Sequence, residues 1–162
     1  VLRHQQGDDW DYCVIEHLGT KATVDAAPAA PNPARPLTAW HADTFVAGPP
    51  WAEFAKAMGI DGSGKPGAVY SVAVWQALAG QREKLEAELG RVDPASKVQV
   101  GSVVLPHLEG GAWTFLAIER YNSWHDFATA QADPGTRGDG WGVVRQYASF
   151  HRDTLADRIA PR

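Results

Sequence analysis

The sequence predicts an α+β fold, and three observations carry that expectation. A sixteen-residue hairpin pattern occurs twice, a Trp-x-x-Phe helical pattern occurs twice, and an apolar strand followed by a charged helix stands between the copies.

The hairpins come first. Val1 to Glu16 lies over Val104 to Glu119 without a gap, an offset of 103 (Val104 against Val1), and Val, Leu, His, Gly, Trp, Ile and Glu coincide. Seven identities in sixteen positions exceed the roughly one expected of unrelated sequence, which makes a genuine repeat the better reading. Gly7-Asp8 and Gly110-Gly111 supply the turns between β-branched, aliphatic and aromatic arms. With a two-residue turn, partners in the first hairpin sum to 15, so that Arg3 faces Tyr12.

The helices come next. Trp51-Ala-Glu-Phe-Ala-Lys-Ala57 matches Trp124-His-Asp-Phe-Ala-Thr-Ala130, and the 3-residue Trp–Phe spacing puts both rings on one helical face. Ser123 is the expected N-cap of the second, with Asp126 at the capping-box position. This alignment leaves about 30 additional residues in the first copy, within Gly19 to Pro50 (an offset of 103 falls to 73). The segment contains Ala-Ala-Pro-Ala-Ala-Pro-Asn-Pro-Ala-Arg-Pro, which continues neither a helix nor a central strand and is expected to be an extended surface insertion.

Between the copies, Ala68 to Leu78 reads as a strand and Gln81 to Leu89 as a helix ended by Gly90. Val98 to Leu105 runs into the second hairpin, and a last helix is expected over roughly Gly142 to Ile159, after the Gly-rich Asp133–Gly140 loop. The second unit is then strand, helix, strand, strand, helix: the ferredoxin-like order without its last strand. The chain divides into a first, partial repeat over 1–67 and a second repeat over 68–162 with an extra C-terminal helix. The first repeat lacks the strand and helix that open the second, so a segment of a few tens of residues ahead of Val1, or a strand donated by a partner chain, is expected. Any targeting signal would lie in such a segment, and the compartment is unreadable.

Composition narrows the function classes. Fifteen basic and 19 acidic residues give a net charge of −4, with 44% hydrophobic residues; no basic block marks a nucleic-acid or anionic-membrane partner, and no apolar run approaches the length of a membrane span. Cys13 is the only cysteine, which rules out an intrachain disulfide and argues against a thiolate zinc site.

Val69-Tyr-Ser-Val-Ala-Val, Gly80-Gln-Arg-Glu-Lys-Leu, the antiparallel hairpin and the Trp-x-Asp-Phe-Ala helix together resemble the dimeric α/β-barrel superfamily, which includes antibiotic-biosynthesis monooxygenases and the haem-binding chlorite-dismutase relatives. The resemblance covers about three quarters of the chain and is one of pattern, with no catalytic motif to carry over. It implies tandem ferredoxin-like repeats whose antiparallel sheets face one another as a barrel, often with a ligand in the interior.

Candidate site residues follow from strand alternation. Arg3, Trp10, Tyr12 and Glu16 share one hairpin face, with Trp113, Phe115 and Glu119 on the equivalent face of the second. The opposite face, Leu2, Cys13, Ile15, Leu105, Leu116 and Ile118, is aliphatic and is expected under the helices. The aromatic face is then expected to line a cavity, with Trp75 as a further lining residue. Glu16 and Glu119 are the candidate acid/base groups, because a carboxylate desolvated among rings acquires a raised pKa; the ordinary reading is a strand-end Glu facing solvent or an Arg. His4 and His107 recur at one hairpin position and are weak metal candidates beside a scaffold role. His151, placed in the expected last helix, is a candidate haem ligand beside a packing role. Trp40-His41 falls in the insertion, where an aromatic anchor explains it as well as function does. Gly62-Ser-Gly-Lys65 lacks the remainder of a phosphate loop and is discarded.

These expectations describe a small-molecule-binding α/β-barrel protein acting on a hydrophobic or aromatic substrate, as a cofactor-independent monooxygenase or isomerase. The alternatives are a non-catalytic ligand-binding or self-assembling protein, and a haem-binding barrel. No cofactor is otherwise expected. The expected partners are a small molecule and further copies of the chain as a homo-oligomer.

Overall fold

The central strand of the molecule, β4 (Val69–Ala77), has no charged residue and is largely buried. The computed structural model describes residues 1–26, 31, 33–91, 97–132 and 140–160, the side chains of 140 and 141 excepted. In chain order the other elements are β1 (Leu2–Gln6), β2 (Tyr12–Cys13), α1 (Lys21–Ala26), a 3-10 turn (Arg35–Leu37), β3 (Phe45–Val46), α2 (Trp51–Met58), α3 (Arg82–Leu89), β5 (Gln99–Glu109), β6 (Phe115–Tyr121), α4 (Trp124–Ala132), α5 (Gly140–Arg145) and β7 (Ala148–Arg158). The strands form one seven-stranded antiparallel sheet in the order β2-β1-β7-β4-β6-β5-β3, curled into a half-barrel.

Alternation divides the sheet into two apolar faces. On the concave side Leu2, Tyr70, Val72, Val103, Leu105, Ile118 and Ala156 pack with Phe54 and Met58 of α2. On the convex side Ala73, Trp75, Phe115 and Ala117 pack with Leu85 of α3 and Val144 of α5, and Val69 and Tyr121 pack with Ala130 of α4. Leu85 is the one buried residue of α3; fully burying such a side chain is worth about 2 kcal/mol, so this helix is held by a narrow contact.

The helix α2 lies across one end of the half-barrel. Gly59 closes it in the left-handed conformation (φ 65°). Its last carbonyls meet two donors from the sheet: the Tyr70 hydroxyl donates to Met58 at 2.8 Å, and Arg120 Nε donates to Ala57 at 2.8 Å. Arg120 is buried, and its Nη2 also donates to the Val100 carbonyl. A cation at a helix C-terminus is where the dipole favours it. The other end of α2 is held by Trp51, stacked on His17 at 4.9 Å.

The hairpins agree with the expected register: Leu2 pairs with Cys13 and Arg3 with Tyr12, as Leu105 pairs with Leu116 and Pro106 with Phe115. The aliphatic face lies under a helix as expected, although that helix is α2. Ser123 caps α4 through the Asp126 amide, and Gly90 ends α3.

Three expectations are corrected. The segment expected as a last helix is mainly the eleven-residue strand β7, with only α5 helical before it. Thus β4, α3, β5, β6, α4 and β7 form a complete strand-helix-strand-strand-helix-strand unit with strand order β7-β4-β6-β5. Second, the expected insertion carries α1, the 3-10 turn and β3; residues 27–30 and 32 of its Pro/Ala-rich run, and most of the expected 133–140 loop, lie outside the described residues. Third, the helix after the first hairpin is α1. Thr20 caps it through the Thr23 amide as Ser123 caps α4 through Asp126, at the same offset of 103 (Ser123 against Thr20). The Trp51 helix follows β3 and packs on the concave face, so its sequence match to α4 does not reflect an equivalent place.

The counterpart of β7 is β3. His41-x-Asp43-Thr44 stands before β3's pairing residues as His151-x-Asp153-Thr154 stands in β7. His4 pairs with Ala156 and Gln6 with Leu155 around a bulge; His107 pairs with Val46 and Glu109 with Phe45 around the same bulge. Gly7 (φ 122°) and Gly110 (φ 112°) adopt a conformation that side chains disfavour, and a Cβ at either would press on the carbonyl oxygen of Asp153 or Asp43 respectively.

Candidate functional site

Under α2, at the end of the half-barrel that it covers, lies a cavity of about 110 Å³. Leu2, Cys13 and Ile15 come from the first hairpin, Phe54 and Met58 from α2, and Tyr70 from β4; Arg158, at the end of β7, stands at its margin. The α2 spacing Trp51, Phe54, Met58 (i, i+3, i+7) aims one apolar stripe at the sheet. Burial pushes the Cys13 thiol up, which keeps it protonated and apolar at neutral pH. Burial likewise raises the Tyr70 hydroxyl, whose proton is engaged by the Met58 carbonyl. The Arg158 side chain makes no hydrogen bond or ion pair with the described residues, and it is the only charged side chain of the lining.

A second, open groove of about 440 Å³ runs beside β5 where β3 stops pairing, bounded by Gly48, Pro49, Glu53, Ala57, Ser102 and Pro106 among others. It has a wide mouth and carries little that would orient a ligand.

The residues singled out from sequence are distributed rather than gathered. Glu16 is exposed beyond β2. Glu119 is half-buried on the convex face and accepts the Tyr121 hydroxyl at 2.7 Å. Neither lines the apolar cavity. Arg3 is engaged by Asp157 through two hydrogen bonds (3.1 and 2.7 Å), and Gln5 donates to the same carboxylate at 2.8 Å. Tyr12 is exposed, whereas its counterpart Phe115 is fully buried beside Trp75 under α3. The aromatic face of the second hairpin is therefore core rather than cavity wall, because Leu85 and the small residues Ala73 and Ala117 close over it. Trp10 packs against the concave-face cluster and edge-on to His4 at 5.7 Å; Trp113 tilts against His107 at 5.1 Å. Both His4 Nε2 and His107 Nε2 are buried without a hydrogen-bond partner among the described residues.

His151 is a strand residue. Its ring stacks on Trp75 at 4.6 Å, and its Nε2 lies 3.7 Å from Asp153. Among the described residues no three His, Cys, Asp or Glu side chains are grouped to hold a metal, and no helix is long and apolar enough to cross a membrane.

Sequence reasoning missed Arg158, because β7 was expected to be helical, and gave Cys13 no role beyond the aliphatic face. The signal for β7 was available in the repeated His-x-Asp-Thr.

Set against protein-family models, curated proteins and solved structures, the chain matches none.

Proposed function

We propose that this chain is a small-molecule-binding α/β-barrel protein whose ligand has a small apolar body, one ring or a short branched chain, and an acidic group. The observation that carries the reading is the apolar cavity under α2 with Arg158 as its one charged margin residue. An apolar cavity of roughly 150 Å³ holds benzene; this one, at about 110 Å³, is smaller, so it takes a short branched chain whole or a single ring inserted in part. A guanidinium at the edge of such a space favours a carboxylate, which it can bind through two parallel hydrogen bonds.

The architectural reading that accompanies it is a tandem pair of ferredoxin-like units of the dimeric α/β-barrel kind, the first incomplete. It is supported by the element order and strand order of residues 69–158, and by the matching hairpins, caps and bulges of the first unit. The monooxygenase or isomerase version of this function gains no support from the two glutamates, which lie outside the cavity.

The chain has one methionine, and it lines the cavity. A methyl-labelled Met58 therefore gives a single NMR reporter. Titration with benzoate is expected to shift that signal saturably, and benzamide to bind more weakly. Arg158→Gln is expected to weaken benzoate about tenfold, or roughly 1.4 kcal/mol, while leaving benzamide unchanged. Absence of any saturable Met58 shift with either compound would sink the proposal.

A further inference from the structure

The sheet ends at β2 on one side and β3 on the other. These two edges are related to the centre of the sheet in a specific way. Within the second unit β4 lies between β6 and β7, pairing with both along its length. The counterpart of β6 is β2, by the hairpin register; the counterpart of β7 is β3, by the shared bulge and the His-x-Asp-Thr repeat. The two edges are therefore the two strands between which a counterpart of β4 belongs.

Burial tells the same story residue by residue. Phe115 is 0% exposed and its counterpart Tyr12 58%; Ala117 is 9% and Val14 59%; Tyr121 is 3% and Leu18 44%. All three first-copy residues are large and apolar, yet they are exposed on the segment that has no outer strand beside it among the described residues. At the other edge Phe45 and Leu108 are also exposed. The edges approach one another. Lys21, beyond β2, reaches Glu109 of β5 at 3.0 Å and lies 5.9 Å from the Phe45 ring of β3, and His17 stacks on Trp51, just after β3.

We propose that β2 and β3 are the two sides of one slot, and that its occupant is a strand-and-helix segment of β4–α3 character joined to the amino-terminal side of β1, as β4–α3 is joined to β5. The strand pairs antiparallel with both edges, and its helix covers Tyr12 and Val14 as α3 covers Phe115. Two paired edges replace two open ones, removing the template for aggregation that an open edge presents. α2 packs on β5 and β6, on the face opposite the one that α3 covers, and does not pair with the outer edge of β2 or of β3.

The test repeats residues 68–103 ahead of Val1 and follows amide hydrogen exchange. Exchange from Tyr12 to Leu18 and at Phe45–Val46 is expected to slow by about tenfold or more, in a monomer. A control with Asp at the positions of Val72 and Val74 in the added copy is expected to lose that protection. Unchanged exchange at the two edges, with β4–β6 amides still protected, overturns the proposal. So does equal protection by the control, or protection that appears only in a dimer. If the extended chain fails to protect its own β4–β6 amides, a peptide of sequence Ala68–Leu78 added to the unaltered chain decides: slower exchange at both edges supports the slot, and no change overturns it.

Discussion

The two hairpins share a turn, a register and seven identical residues, and they differ in almost everything that depends on neighbours. The second hairpin is flanked by β4 and covered by α3, and its strand β6 runs for seven residues. The first has β7 on one side and, among the described residues, no strand on the other, and β2 is two residues long. Local sequence thus sets the turn and the pairing, while strand length and burial come from what lies alongside. Hydrogen bonds to a second neighbour and cover from a helix extend a strand; a hairpin alone is marginal in water.

The comparison breaks most visibly at one equivalent pair. Phe115→Ala should destabilise by about 3–5 kcal/mol, the usual cost of emptying a buried aromatic site. Tyr12→Ala should change stability by no more than about 0.5 kcal/mol, as for surface positions. Urea unfolding of both variants measures the contrast, and similar losses would mean that Tyr12 is covered in solution.

The turn glycines should behave alike, because their junctions are alike. Gly7→Ala and Gly110→Ala each combine a disfavoured φ with a collision against a neighbouring carbonyl, at a cost of about 1–3 kcal/mol. A loss at Gly110 alone would show that the β1–β7 junction yields where β5–β3 does not. The helix caps sharpen the same point more finely. Ser123→Ala should cost about 1 kcal/mol. Thr20→Ala should cost less, because α1 buries no residue and its fraying leaves the core intact.

What could be read from sequence follows the same division. The hairpin register was legible because a glycine turn fixes which residues face each other, and β4 was legible because its apolar run is long. β7 was not, since its most buried residues are Thr154 and Ala156, small side chains whose alternation hardly registers as hydrophobic. Its larger apolar residues, Phe150 and Leu155, are spaced irregularly enough to pass for a helix. The Trp-x-x-Phe match misled for a different reason: any short helix that lays an aromatic stripe on a sheet needs that spacing, so the pattern reports amphipathicity and says little about position in the fold. The cavity was partly legible, in that Leu2, Cys13 and Ile15 were assigned to the aliphatic face. Arg158 was invisible because its location depended on β7.

The smallest expected effect separates the two strand junctions by pH. At the β1–β7 junction Arg3 hydrogen-bonds Asp157 and holds its carboxyl below the usual carboxylate range. Nearby, burial of Asp8 works the other way, but the Asp9 amide and Arg152 prevail and hold it low as well. The equivalent positions at the β5–β3 junction, Pro106 and Ala47, Gly111 and Ala42, carry no ionisable group; the ion pair there, Lys21 with Glu109, ties α1 to the hairpin instead. A carboxylate with a lowered folded pKa stabilises above its unfolded value, about 3.9 for Asp, and that contribution is lost as pH falls through the folded value. Acid should therefore loosen β1 from β7 before it loosens β3 from β5. Amide exchange corrected for its intrinsic pH dependence should show the Ile159 amide, which donates to the Val1 carbonyl across β1–β7, losing protection below about pH 4, while the Ala47 amide, which donates to the Pro106 carbonyl across β3–β5, keeps it. Arg3→Gln should weaken the Ile159 site already at neutral pH and flatten its acid response. If Ile159 and Ala47 lose protection together in the unaltered chain, the Arg3–Asp157 pair contributes nothing to the junction and the asymmetry lies elsewhere.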